Sequence, residues 1–254
     1  ADDYVTKPTQ MANPMDGIDT LKQDLVPKVL ELCKRAQAKD ETSNDTTLSI
    51  EKTISVSKSK TPKTESGFKV LTIGTSTGGP NALADFFEMM PGKLDVPILI
   101  VQHMPPMFTK ILAERLTKLG PTEFHEGEDH MKVQPGHAYI APGGKHMVVE
   151  KNGSGVVIRT NEEPLENSCR PAVDPLFRSI ARVYGNKVLA VVMTGMGQDG
   201  ARGCEVIAEK GGYIVAQDEA SSVVWGMPGY VVGSGLADEI LSLRDLPVAV
   251  SDKF

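Results

Sequence analysis

Three stretches of this chain are apolar at almost every position: Val-Leu-Thr-Ile at 70 to 73, Ile-Leu-Ile-Val at 98 to 101 and Val-Leu-Ala-Val-Val at 188 to 192. A strand with one face in water alternates apolar and polar side chains, so runs without alternation belong to strands covered on both faces, as in a parallel sheet flanked by helices. Strands are expected at Lys69 to Ile73, Pro97 to Val101, His137 to Ala141, Met147 to Glu150, Val156 to Arg159, Val188 to Met193 and Tyr213 to Ala216, with helical patterns between most of them. Residues 137 to 160 read as hairpin-like, with a turn at Asn152-Gly153. The fold class expected is α/β, a mostly parallel doubly wound sheet with an antiparallel hairpin excursion.

The chain before Gly67 differs. From Gly17 to about Gln37, Ile18, Leu21, Leu25, Val29 and Leu32 recur at helical steps, with Asp16 as N-cap and Pro27 as a local disturbance. From Ala38 to Ser66 the chain is Ser, Thr, Lys, Asp and Glu with isolated apolar residues, too polar to bury much, and reads as a flexible linker. The organisation expected is therefore 1 to 37, a linker at 38 to 66, and a large domain at 67 to 254. With 40% of its 254 residues apolar, the chain can build a substantial core.

Several function classes are disfavoured. A net charge of −6 and a short, Ser- and Thr-interrupted lysine run at 58 to 63 give no footprint for nucleic acid. Cys33, Cys169 and Cys204 lie far apart with no C-x-x-C pair, which fits a reducing cytoplasm and neither a disulfide framework nor a zinc ribbon. The N-terminus lacks the regions of a signal peptide, and no apolar run approaches the roughly 18 to 20 residues of a membrane helix, so no membrane insertion is expected.

Gly74-Thr75-Ser76-Thr77-Gly78 lies between an apolar strand and a helical segment that Pro80 suits as an opening residue. A serine thrust out on such a tight turn needs small neighbours, and amides at the start of the helix, Thr77 N–H first, can stabilise an oxyanion. The same kind of Gly-rich turn also serves phosphate or dinucleotide sites. Here, however, the glycines do not make G-x-G-x-x-G, and no Lys-Ser or Lys-Thr follows to make a P-loop.

A serine hydroxyl needs a base, in most such sites a histidine held by a carboxylate. In open α/β sheets chemistry gathers at the carboxyl ends of strands. By that rule His103, directly after the second apolar run, is best placed. His125 and His130 lie in a polar segment read as a solvated loop in preference to a metal site, because H-E-x-x-H spacing is lacking; His137 and His146 open strands near the opposite rim. The third apolar run leads into Thr-Gly-Met-Gly-Gln-Asp-Gly at 194 to 200, which brings Asp199 to the same rim. Local sequence leaves open whether Asp199 orients a histidine or caps the helix from Ala201 onward. No cofactor and no metal are expected.

Taken together, Gly-Thr-Ser-Thr-Gly-Gly-Pro (74 to 80), Val-Gln-His-Met-Pro (101 to 105), Ala-Pro-Gly-Gly-Lys-His-Met (141 to 147), Cys-Arg-Pro-Ala-Val-Asp (169 to 174), Thr-Gly-Met-Gly-Gln-Asp-Gly (194 to 200) and Ser-Ser-Val-Val-Trp-Gly-Met-Pro (221 to 228) resemble the catalytic domain of the CheB protein-glutamate methylesterases of bacterial chemotaxis. The resemblance implies a serine hydrolase with Ser76 as nucleophile, His103 as base and Asp199 as its orienting carboxylate. It implies Thr77 and Met196 as lining residues that supply oxyanion-hole amides, and leaves open a site role or a packing role for Arg170 and Met227, which also lie in matched motifs. The activity implied is demethylation of glutamate γ-methyl esters, and deamidation of glutamines, on methyl-accepting chemotaxis receptors. The start of the chain, Ala-Asp-Asp-Tyr-Val-Thr-Lys-Pro, resembles the end of a response-regulator receiver domain, with Lys7 as its phosphate-contacting lysine, and implies a histidine kinase as partner of an intact protein. The preceding receiver strands are absent, so residues 1 to 37 are expected to be a remnant, with the first eight poorly packed.

Overall fold

The computed structural model describes residues 67 to 254. The expected amphipathic helix, linker and receiver remnant lie outside these residues.

Seven strands form one parallel sheet in the order β3-β4-β2-β1-β7-β8-β9. They are β1 (Val70–Thr75), β2 (Ile98–Gln102), β3 (Glu123–Glu126), β4 (His137–Ile140), β7 (Val188–Val192), β8 (Tyr213–Gln217) and β9 (Glu239–Leu241). The three continuous apolar runs occupy its centre: β1 pairs with β2 on one side, Leu71 beside Ile98, and with β7 on the other, Leu71 beside Leu189. Because side chains alternate between faces, Leu71, Ile73, Ile98, Ile100, Leu189 and Val191 point to one side. There they meet α1 (Gly79–Glu88), α2 (Phe108–Thr117) and α6 (Leu246–Ser251). Val70, Leu99, Val101, Val188, Ala190 and Val192 point to the other, under α3 (Val173–Tyr184), α4 (Ala201–Glu209) and α5 (Met227–Gly233). Both faces are thus dry, and each fully buried Leu, Ile or Phe is worth about 1.5 to 3 kcal/mol against exposure.

The antiparallel excursion is narrower than expected. Only β5 (His146–Asn152) and β6 (Gly155–Asn161) form a hairpin, turning through Gly153 and Ser154, while β4 joins the main sheet beside β2. Residues 137 to 141 were expected with the hairpin because sequence proximity was the only guide to pairing. The structure instead pairs Ile140 with Ile100, giving β4 an apolar neighbour in β2 and placing it one strand in from the sheet edge. β3 and β9, of four and three residues, were not expected at all. β3 reads Glu-Phe-His-Glu, with one apolar side chain, and is a strand because Phe124 packs into the core between polar neighbours.

Candidate active site

The chain runs from β1 to β2 on one side and later returns to lay β7 on the other, so the topological switch lies between the carboxyl ends of β1 and β7, where open α/β sheets hold their ligands. Ser76 is the first residue beyond β1. Its N–H donates to Thr194 O (3.0 Å), and its carbonyl accepts from Gly79 N–H (2.9 Å), closing the turn into α1. Gly78 has φ of +82°, and a Cβ there would lie 2.7 Å from Val223. Gly74 serves a different purpose from the one expected. A Cβ at Gly74 would meet Val173 Cγ1 at 2.6 Å, so this glycine lets α3 lie against β1 and does not simply make room for Ser76.

His103 leaves β2 beside Ser76, its N–H donating to Thr75 O (3.2 Å). The buried Gln102 side chain clamps the two: Nε2 donates to Ser76 O (3.0 Å) and to His103 O (2.9 Å). Asp199 comes from the loop after β7, and His103 Nε2–H donates to its Oδ2 at 2.7 Å. The carboxylate is 2% exposed and accepts four further hydrogen bonds, from Val173 N–H, Asp174 N–H, Gly200 N–H and Asn167 Nδ2. Burial pushes its carboxyl up, but the His103 hydrogen bond, the Val173 amide and the other donors outweigh this and hold it below the ordinary carboxylate range.

Asp199 therefore stays ionised, Nε2 keeps the proton, and Nδ1 is left as the basic nitrogen. Among the described residues the hydrogen-bond partner of Nδ1 is the Cys169 thiol, Sγ 3.5 Å away, and the Ser76 hydroxyl has none. Serine and imidazole thus share one rim with no hydrogen bond between them in this state. Burial first, and the Asp199 charge second, push the Cys169 thiol up, so it remains a neutral donor.

Asp199 does not cap the helix that follows it; α4 takes Gly200 as its N-cap. Its donors Val173 and Asp174 open α3, so it caps the start of a helix earlier in the chain. Asp174 returns the arrangement by accepting from Gly200 N–H (3.0 Å) and Gly203 N–H (2.7 Å), at the start of α4. Each carboxylate satisfies the open amides of the other's helix, and Asn167 Nδ2 donates to both. Burial pushes the Asp174 carboxyl above its ordinary range, against the Gly203 amide.

Met196 is exposed, and its backbone is brought against the serine by Gly195, where a Cβ would sit 2.8 Å from Ser76 Cβ. Neither Thr77 N–H nor Met196 N–H has a protein acceptor among the described residues. Met227 is fully buried beneath Gly195, and Arg170 Nη1 donates to Glu162 O and Glu163 O, so both pack or tether. The other histidines stand apart: His146 is buried and holds Ala172 N–H and Pro164 O, and His130 is exposed. His125, expected on a loop, lies in β3 and faces His137. Sequence reasoning missed Gln102, Asn167, Asp174 and the Cys169 contact. Asp174 alone carried a signal, as a charged residue opening an apolar helix.

This is a doubly wound α/β domain with a serine, an imidazole and a buried carboxylate gathered at its switch point. The CheB methylesterase family model matches residues 71 to 250, and the chain belongs to that family. It is 45% identical over 246 residues to a protein-glutamate methylesterase/protein-glutamine glutaminase of Trichodesmium erythraeum, covering 97% of this chain and 69% of that protein. A Maricaulis maris protein of the same name is 51% identical over 186 residues, covering 73% of this chain and 46% of the relative. The chain thus spans from about half to about two thirds of the length of these relatives. The crystal structure of the Thermotoga maritima CheB methylesterase catalytic domain superposes with a TM-score of 0.71 at 38% identity, covering 73% of this chain and 98% of that one. Among the described residues no helix is long and apolar enough to cross a membrane.

Proposed function

We propose that this chain is the hydrolytic part of a cytoplasmic protein-glutamate methylesterase that removes methyl groups from glutamate side chains of chemotaxis receptors, and deamidates receptor glutamines by the same route. The observation that carries the reading is the 2.7 Å contact of His103 Nε2 with the buried, ionised Asp199, on the rim where Ser76 leaves the adjoining strand. On substrate binding the Ser76 hydroxyl displaces the Cys169 thiol as partner of His103 Nδ1; apo catalytic hydrogen bonds commonly tighten in this way.

Ser76 Oγ attacks the γ-carbonyl carbon as its proton passes to His103 Nδ1. The tetrahedral oxyanion is held by Thr77 N–H and Met196 N–H, which have no acceptor among the described residues to give up. Protonated His103 then delivers its proton to the leaving methoxide or amide nitrogen, releasing methanol or ammonia and leaving a glutamyl ester on Ser76. Water, deprotonated by His103, hydrolyses that ester and restores the hydroxyl. Asp199 fixes the tautomer and stabilises the imidazolium throughout.

The rim supports a macromolecular substrate. Met107, Met196 and Val223, on loops beside His103, Ser76 and Gly78, are 79%, 70% and 70% exposed, an apolar border suited to a helical receptor surface. The receiver-like opening Ala-Asp-Asp-Tyr-Val-Thr-Lys-Pro is what supports a receiver domain and a phosphorylating histidine kinase in the intact protein.

The Cys169 contact makes the thiol a rival nucleophile, and one experiment separates the two. Ser76→Ala should abolish methanol release from methylated receptor, and Cys169→Ala should keep it within a few-fold of the parent. Turnover that survives Ser76→Ala but is lost in Cys169→Ala would replace the serine mechanism.

A further inference from the structure

A second group of ligand-bearing side chains lies away from Ser76, at the edge of the sheet. Glu123 and His125 are two residues apart on β3 and share a face; the parallel register sets Glu123 beside His137 and His125 beside Tyr139 on β4. Phe124 and Ala138, on the opposite face, are buried in the core and fix which way the pair of strands turns. Three donor groups therefore converge. His125 Nε2 lies 3.0 Å from His137 Nδ1, and the Glu123 carboxylate straddles both, Oε1 at 3.8 Å from His125 Nε2 and Oε2 at 3.7 Å from His137 Nδ1.

We propose that Glu123, His125 and His137 form a site for a first-row divalent cation of the zinc type, with its remaining positions open to water. The donor set carries the choice of ion: two imidazoles with one carboxylate suit zinc, nickel, copper or cobalt, whereas calcium and magnesium take oxygen ligands. The spacing fits too. Ligand atoms about 2.0 to 2.2 Å from a tetrahedral ion are about 3.2 to 3.5 Å from one another, and one ligand atom from each of the three groups already lies within 4.8 Å of the others, so side-chain rotations of about an ångström close the set. The imidazole side chains are 32% and 26% exposed, sheltered yet within reach of an entering ion, and the carboxylate offsets its charge. His137 opens β4 at the amino ends of the strands, whereas Ser76, His103 and Asp199 lie at the carboxyl ends, so this site is independent of the hydrolytic one. A bound ion ties β3, an edge strand of four residues, to β4.

The test is calorimetric titration of the full chain, stripped by chelator, with Zn²⁺ at neutral pH. One ion should bind per chain with micromolar affinity or better, and its binding should raise the melting temperature. His125→Ala and His137→Ala should each weaken binding by about tenfold or more, Glu123→Gln by less, while methanol release by the zinc-free variants stays at the parent level. All five histidines lie within the described residues, so the alternatives are few. Zn²⁺ binding unchanged in the His125→Ala/His137→Ala chain, or no binding tighter than millimolar, overturns the proposal. Should a variant fail to fold, Co²⁺ bound to the parent chain decides: visible bands without sulfur charge transfer support the imidazole–carboxylate site. A thiolate band places the ion at a cysteine and rejects it.

Discussion

Asp199 receives more hydrogen bonds from the main chain than from the histidine it faces. In the proposed mechanism the imidazolium is stabilised by a charge that is already anchored, so little reorganisation accompanies proton transfer. Asp199→Asn should keep the fold but lower kcat for methanol release by about 10⁴, because the amide allows the wrong imidazole tautomer. The same carboxylate governs acid behaviour. Its folded value is depressed, so its contribution to stability is complete above the unfolded value of about 4 and is lost as pH falls toward the folded one. Asp174 acts in the opposite sense, since its raised folded value favours the folded state while the carboxyl is protonated. Urea midpoints of the parent should therefore fall more steeply below about pH 4 than those of Asp199→Asn. The shared rim of Ser76, His103 and Asp199 was legible in the sequence because each directly follows an apolar run or its glycine-rich exit. Gln102 and Asn167 were not, because the bonds that tie them to Ser76 and Asp199 run to residues far along the chain and leave no local spacing to read, and Asp174 showed only as a charged residue opening an apolar helix.

The helices α3 and α4 begin within reach of each other's acids, and the loops around Ser76 depend on glycines for the same closeness. Gly195 lies under Ser76 with no room for a methyl group, and Met227 Sδ blocks the other direction. Gly195→Ala should displace the serine turn, cost about 1 to 3 kcal/mol by overpacking, and lower esterase turnover more than the loss of stability explains; urea titration beside an ester-hydrolysis assay measures both. The central strands were legible because burial on two faces writes itself into composition. β3 was not, since an edge strand with one apolar residue looks like a loop, and β4 was grouped with the hairpin strands because register is decided by contacts across the sheet. The hairpin of β5 and β6 was legible from the Asn152-Gly153 turn.

The described residues carry a sheet covered on both faces and every group that the proposed chemistry uses, and the Thermotoga maritima domain is matched along 98% of its length. A chain starting at Gly67 should therefore fold and release methanol from methylated receptor at a rate within a few-fold of the full chain, with circular dichroism and a methanol assay as the measurements. A requirement for residues 1 to 66 would show in either. Organisation at this level was legible for the α/β class, while the expectations for residues 1 to 66, and with them the expected boundary at residue 67, lie outside what the described residues test. The strand order has one more consequence. β1 is flanked by a neighbour that follows soon and by one that arrives only after the hairpin and α3 have been made. A nascent chain emerging from a ribosome therefore possesses its serine and imidazole long before it possesses Asp199, and in the proposed mechanism its catalytic set is incomplete until β7 and the loop after it have been synthesised. In that mechanism, ester cleavage reports that synthesis has passed Asp199.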